Sequence, residues 1–319
     1  WEGEGDGFFG LPVPNLPGPP QRRARRRLLD LLEKERPAIL HVHGWMALSL
    51  ALAAGAQRRT SLIFTAHTLL PQGNLLRRLG VRQVLRHGRN DVSLFLAVSQ
   101  AVGRELEEGG VPGVKVKVLP PGVKIPAAGG EPIGQLEKGT FILGAASRFS
   151  PEKGLDVLLC AAAQLPRDRP WHLLLAGSGP EEGKLRRQIR QEGLEERVSF
   201  LGFLSSLAPF YDAIELLAVP SRQEGLGLAA LEAMALGKPV VASRTGGLAE
   251  IIRDGETGFL VPPGDCSAWA AQLREILSLP LPRLQAMGAQ ARAAAQGLPW
   301  PAVVDAVEES YRQVLGRVR

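Results

Sequence analysis

Between residues 39 and 261 the sequence repeats one short pattern: a brief apolar run, a turn rich in Gly, Ser or His, then a longer helical stretch. In the first part the apolar runs are residues 39–43, 62–65, 94–98 and 116–119. The helices between them are an apolar one over 44–56, a basic amphipathic one over 75–86, and one that Ser99 caps and Gly109-Gly110 ends. On the second of these, Leu75, Leu76, Leu79 and Val84 are expected on one side. In the second part the runs are residues 141–146, 172–176, 198–201, 215–219, 239–242 and 258–261, again with helices between. Neighbouring parallel strands need a crossover and antiparallel ones do not, so this alternation points to parallel α/β sheets. Residues 120–139 are Pro, Gly and small residues without a period, and they read as a linker. The expected architecture is therefore two doubly wound halves, with ligands bound beyond the carboxyl ends of the strands.

The ends of the chain read differently. Residues 1–20 are rich in Gly and Pro and are expected to be irregular. Arg22 to Arg27 is a basic run that opens a helix. Residues 266–319 read as helical, with Trp300 and Pro301 breaking the pattern before a final helix over 302–318.

A chain of 319 residues is too long for one small core and fits two domains. No run of eighteen apolar residues occurs, so no membrane-spanning helix is expected. Cys160 and Cys266 fit neither a metal-ligand spacing nor a disulfide framework, which points to a reducing compartment, and so to a cytoplasmic protein. Charge is uneven. Residues 1–130 carry 18 Lys and Arg against 10 Asp and Glu, while residues 131–319 carry 20 against 22. The basic half suits peripheral contact with an anionic membrane; ordinary solvated surface is the plain alternative. No nucleic-acid partner is expected.

The stretch from Ser221 to Pro239 reads as strand end, glycine-containing loop and helix. Glu224 and Glu232 stand eight residues apart, with Gly225, Leu226, Gly227 and Leu228 between them. A helix start leaves N–H groups unpaired and partly positive, and glycine lets a ligand approach, so this end suits a phosphate. Glu224 lies in the loop. Glu232 lies a turn inside the helix, where a carboxylate can accept from sugar hydroxyls. Taken alone, the spacing also fits a crossover helix with two solvated carboxylates. Arg148 ends the strand at residue 146, and Lys153 precedes the next helix, with Pro151 turning the chain between them. Two cations so placed can clamp a diphosphate. Gly177-Ser178-Gly179 resembles the start of a dinucleotide fingerprint, but Glu182 occupies the third glycine's place, so NAD binding is rejected. His67 ends the strand in Phe-Thr-Ala-His. His41 and His43 flank Val42 and so face one side, without a third ligand nearby in sequence.

Together, HVHGW, TAHTLL, LAVSQAV, ASRFSPEKG, LLLAGSGPE, VSFLGF, VPSRQEGLGLAALEAMALGKPVVASRTGGLAEII and GFLVPPGD resemble glycosyltransferase family 4 from about residue 39 to 263. The resemblance implies the GT-B fold, two Rossmann-like domains facing across a cleft, and a retaining glycosyltransferase that uses a nucleotide-diphosphate sugar. It places an acceptor-side domain over 1–125, with the last helix over 301–319 crossing back to it, a linker over 126–139 and a donor-binding domain over 140–300. Arg148 and Lys153 would hold the leaving diphosphate, and Glu224 the hydroxyls of the transferred sugar. Glu232 would take the ribose, and backbone N–H groups at Gly227 and Leu228 the distal phosphate. His67 would sit against the donor sugar, and Gly202 and Phe203 would border the base. No metal and no separate cofactor are implied; the donor would be a UDP-, GDP- or ADP-sugar, and the acceptor a sugar, glycan or lipid. The sequence departs from the family at several points. It lacks the opening strand and Gly-Gly loop, so it reads as a chain without one or two amino-terminal βα units. Pro121 and Lys124 replace an Asn and an Asp, and Leu226 stands where an aromatic is frequent. The alternatives are a nucleotide-sugar-binding protein without turnover and a GT-B sugar-nucleotide epimerase.

Overall fold

The computed structural model describes residues 19–70, 75–123, 133, 137, 139–295 and 300–316. Most of residues 1–20, expected to be irregular, most of the linker and Lys124 lie outside them. The chain divides into two compact units. The first gathers the described residues of 1–98, 102–119 and 305–319, and the second those of 99–101 and 120–304.

In the first unit α1 (Pro19–Glu35) leads into β1 (Ile39–His43), α2 (Trp45–Ala53), β2 (Ser61–Ala66), α3 (Leu75–Asp91), β3 (Leu94–Ala97), α4 (Gln100–Glu108) and β4 (Val116–Val118). The four strands are parallel in the order β1-β2-β3-β4, as the alternation implies. β2 and β3 are buried along nearly their whole length, as strands covered on both faces should be.

The face of α3 differs from the expected one. Its buried stripe runs through Val81 and Leu85 to Val92 just past its end, whereas Leu79 is 49% exposed and Val84 is half-buried. The side chains of Leu75 and Leu76 lie outside the described residues. The true stripe advances by steps of four and seven, and Gly88 completes it, where an added Cβ would lie 3.2 Å from Leu52. That glycine lets α3 press close to α2, a close approach invisible when only bulky apolar letters are counted. Lys115 closes the helix by donating to the carbonyls of Arg89, Asn90 and Val92.

In the second unit β5 (Phe141–Ala146), α5 (Leu155–Ala162), β6 (Trp171–Ala176), α6 (Glu182–Glu192), β7 (Val198–Gly202) and α7 (Ala208–Ala213) come first. Then follow β8 (Leu216–Val219), α8 (Leu228–Ala235), β9 (Val240–Ser243), α9 (Leu248–Ile251), β10 (Gly258–Val261), α10 (Cys266–Ser278) and α11 (Leu281–Ala295). The sheet is parallel, in the order β10-β9-β8-β5-β6-β7. Alternate strand residues feed two cores. Leu143, Leu173, Leu175, Leu216 and Val241 pack with α5 and α10, and Ile142, Leu174, Leu217, Val240 and Ala242 pack with α7 and α8.

Two further expectations are corrected. Cys160 and Cys266 are joined in a disulfide, with Cα atoms 5.9 Å apart across 106 residues of sequence. Tertiary packing sets α5 against α10, which no spacing rule could anticipate. The inference of a reducing compartment therefore loses its basis. Trp300 and Pro301 do not break a helix but begin α12 (Trp300–Gly316), where Pro in the first turn forfeits no helical hydrogen bond. Farther along α12, Ser310 receives a bond from Lys117 and Tyr311 meets His41. Among the described residues no helix is long and apolar enough to cross a membrane.

Candidate functional site

In the second sheet the strand order reverses at β5. From it the chain proceeds outward through β6 and β7 on one side, then returns to β8 on the other. The helices after β5 and β8 therefore pack on opposite faces of the sheet, and the loops that lead to them meet at its carboxyl edge, the usual place for a ligand in such sheets. Those loops carry Arg148 and Lys153 on one hand and Glu224 on the other. The first unit's sheet shows no such reversal among the described residues.

The two loops are bonded to each other. Lys153 Nζ donates to Glu224 Oε2 at 2.7 Å, in a pair with side chains only 25% and 15% exposed. Ser221 Oγ donates to the same carboxylate oxygen at 3.0 Å. Arg222 grips the opposite loop in three places: its N–H donates to Glu152 O, one guanidinium nitrogen to Pro151 O, and the fork to Asp156 at 2.7 Å for each arm. Burial works against the charged form of Glu152, but the Ser150 hydroxyl, 2.6 Å away, and the cations Lys153 and Arg148 outweigh it and hold its carboxyl below the usual range. Gly154 permits the closeness, because at φ +65° an added Cβ would lie 2.1 Å from Pro220 O. Ser221, Arg222 and Asp156 were not singled out from the sequence. Arg222 lies two residues before Glu224 in the Ser221–Pro239 stretch, and its alternation with Glu224 was a usable but unspecific signal.

Arg148 stands apart. Its side chain is exposed and forms no hydrogen bond or ion pair with the described residues, while Phe149 beside it is buried and anchors the loop. The glycines of Gly177-Ser178-Gly179 serve that anchoring. An added Cβ at Gly177 would lie 1.9 Å from Ser147 O, and one at Gly179 2.3 Å from Phe149 O. Their lack of side chains is spent on backbone packing, which gives the partial fingerprint a role without a dinucleotide.

α8 begins at Leu228 with Gly227 as its cap, at φ +96° and with no side-chain bond to the first-turn N–H groups. The first helical bond runs from Leu231 N to Gly227 O, so the N–H groups ahead of it have no acceptor within the helix. Gly247 N donates to Gly225 O and holds the loop from behind. Leu226 is buried, and Leu228 is 52% exposed. Gly237, at φ +75°, ends α8 as the sequence suggests. One turn inside, Glu232 is half-buried, and burial pushes its pKa up while a bond from Tyr211 opposes the shift. That bond, Tyr211 Oη to Glu232 Oε2 at 2.8 Å, comes from a fully buried ring on α7. No sequence pattern links the two residues. Gly202 ends β7, and Phe203 after it is 81% exposed at the same edge.

His67 belongs to the first unit, at the end of β2. Its Nε2 lies 2.8 Å from His43 Nδ1, and the rings of His41 and His43 lie 4.3 Å apart, on one side as alternation requires. His41 bonds Tyr311 Oη at 2.8 Å and Thr65 Oγ1 at 2.7 Å. Burial, then the neighbouring imidazoles, push the His41 pKa down to about 3, and burial also lowers those of His43 and His67. All three rings are accordingly neutral near pH 7.

Sequence and structure comparisons agree on one kind of protein. The description "Glycosyl transferases group 1" matches residues 131–294, and "Glycosyltransferase Family 4" matches residues 3–125. The D-inositol 3-phosphate glycosyltransferase of Mycolicibacterium paratuberculosis is 34% identical over 304 residues, covering 87% of this chain and 67% of its own length. That of Nocardia farcinica is 33% identical over 306 residues, covering 87% and 66%. The chain thus spans about two thirds of the length of these relatives. The Anabaena protein HepE, solved with UDP and glucose, superposes with a TM-score of 0.80 at 25% identity, covering 91% of this chain and 82% of that one. Sucrose-phosphate synthase from Thermosynechococcus elongatus does so with a TM-score of 0.80 at 26% identity, covering 93% and 79%. These neighbours share two parallel-sheet α/β domains, the GT-B architecture.

Proposed function

This chain belongs to the group 1 glycosyl transferases, and from that premise we propose that it takes part in retaining, metal-independent transfer of a sugar from a nucleotide-diphosphate sugar to an acceptor hydroxyl. The observation that carries the reading is the Lys153–Glu224 ion pair at the strand-order reversal. It joins a cation suited to a leaving diphosphate to a carboxylate suited to sugar hydroxyls, at one point of one crevice. Arg148 adds a second, unpaired cation beside it, and the uncapped start of α8 adds N–H donors for the distal phosphate. Glu232 takes the ribose hydroxyls, and Phe203 borders the base.

In the reaction the bond between the anomeric carbon and the diphosphate oxygen breaks, and the acceptor oxygen bonds to the same carbon. The acceptor's proton passes to the departing diphosphate. Charge on that diphosphate rises as the bond stretches, so cations fixed beside it favour the transition state over the bound donor. Lys153 and Arg148 supply this stabilisation from side chains. Retention is what the family resemblance implies, and His67 is the contribution it assigns to the acceptor-side unit. HepE's complex with UDP makes UDP-sugars the first donors to assay. The relatives that act on D-inositol 3-phosphate make a phosphorylated polyol an acceptor to include beside sugars and lipids.

The test is donor consumption with and without a chelator. Activity should persist in chelator and should need both Arg148 and Lys153. Loss in chelator with recovery on adding a divalent ion removes metal independence. Interconversion of the donor sugar without acceptor favours the epimerase reading instead.

A further inference from the structure

Tyr211 has a hydroxyl where packing requires none. Its ring is fully buried on α7 beside that of Phe210, edge to face at 5.4 Å. A second phenylalanine would fill the same space without a polar atom. A phenol taken out of water is costly unless it is bonded. The bond it finds is to Glu232 Oε2 at 2.8 Å, with Ala229 O farther off at 3.2 Å. Burial, and then the charge of Glu232, push the Tyr211 pKa upward, so the hydroxyl remains a donor at any working pH.

The consequence falls on Glu232. Tyr211 occupies one carboxylate oxygen, while Oε1 has no partner among the described residues. A half-buried carboxylate on a flexible stem has several rotamers, and the short bond to a rigid, packed ring selects one of them. A carboxylate so held is an acceptor in a fixed plane, which suits two adjacent hydroxyls.

We propose that Tyr211 is a positioning residue that aims Glu232 at a ribose cis-diol, and that the pair sets a preference for ribonucleotides over 2′-deoxyribonucleotides. The proposal rests on the reading of Glu232 as the ribose residue. The alternative is that the hydroxyl merely ties α7 to α8, in which case its loss weakens all nucleotides equally.

The two are separated by calorimetric titration of the full chain with UDP, GDP and ADP, each against its 2′-deoxy form. The proteins are the unaltered chain, Tyr211→Phe, Glu232→Ala and the double variant. Phe keeps the ring and its packing. For whichever nucleotide binds tightest, Tyr211→Phe should weaken the ribo form roughly tenfold and change the deoxy form by less than about twofold, the size expected for a hydrogen bond to a charged group. The double variant should bind no more weakly than Glu232→Ala. Equal weakening of both forms by Tyr211→Phe, or no weakening of either, overturns the proposal while leaving Glu232 in place. A ribo preference that survives Glu232→Ala, or no binding of any of the three nucleotides, overturns the underlying reading of Glu232 and the proposal with it.

Discussion

Arg148 and Lys153 carry the same charge on the same loop after β5 but are held in different ways. Lys153 is bonded to Glu224 inside a partly buried pair, while Arg148 is exposed without a bonded partner. Substitutions should therefore differ in kind. Lys153→Ala should lower kcat by roughly 10²–10³, the range for losing one charge-stabilising group, with a smaller change in donor KM. It should also lower the thermal midpoint, because Glu224 is then left with Ser221 alone. Arg148→Lys should lower kcat with no change in the midpoint, since a point charge cannot reproduce the planar fork and no fold contact is lost. Full kcat in both variants, measured by steady-state kinetics beside thermal melts, would remove the pair from the chemistry. Glu232→Ala should weaken nucleotide and intact donor alike by about 1.5–3 kcal/mol, as for hydrogen bonds to a charged group. Unchanged nucleotide affinity places it outside the site. At this scale the candidate residues could be picked out from the sequence because cations and carboxylates beside glycines and strand ends suit anionic and hydroxyl-bearing ligands. Tyr211 and Arg222 were not, because their roles depend on neighbours 21 and 66 residues away in the chain.

Among the elements, α8 was readable from its unbroken helix formers and its glycine stop, whereas the buried face of α3 was not. The difference lies in glycine. Gly237 acts locally, through its own backbone angle, while Gly88 acts by admitting another helix. Gly227 does both. Its φ of +96° disfavours any side chain, and an added Cβ would lie 2.5 Å from Leu248. Gly227→Ala should therefore lower the thermal midpoint and weaken phosphate-bearing ligands together, since it shifts the start of α8. A variant with normal stability and normal nucleotide binding, by melt and titration, would contradict this account of the cap. The disulfide between α5 and α10 closes a loop of 106 residues. Reduction, or Cys160→Ser, should cost about 2–4 kcal/mol in unfolding free energy, most of it from the freed unfolded chain. Denaturant curves with and without reductant measure this, and coincident curves would count against it.

For the molecule as a whole, acid should be destabilising well above the carboxylate range. His41 is neutral when folded, with its pKa near 3, against about 6.5 when unfolded. The unfolded chain then binds the extra proton between those values, so this stability is complete above pH 6.5 and declines as pH falls toward 3. His43, His67 and His172 are lowered in the same direction, while Glu215 and Glu232 are raised and act oppositely only nearer the carboxylate range. The groups facing His41 are His43, His67, Thr65 and Tyr311. The thermal midpoint should fall between about pH 6.5 and 5, and His41→Asn should flatten that fall; an unaltered slope would show that His41 titrates normally. The sequence by itself determined the parallel α/β class, the expectation of a ligand beyond the strands' carboxyl ends, and the residues proposed to meet a diphosphate and a sugar. These are short-range properties, written in periodicity, turn residues and local charge. The tertiary structure alone decided which loops converge at the reversal around β5, that Lys153 meets Glu224, that Tyr211 bonds Glu232, and that Cys160 bonds Cys266. Each of those is a contact across tens of residues, and only the packing of the sheet's two faces brings such partners within reach.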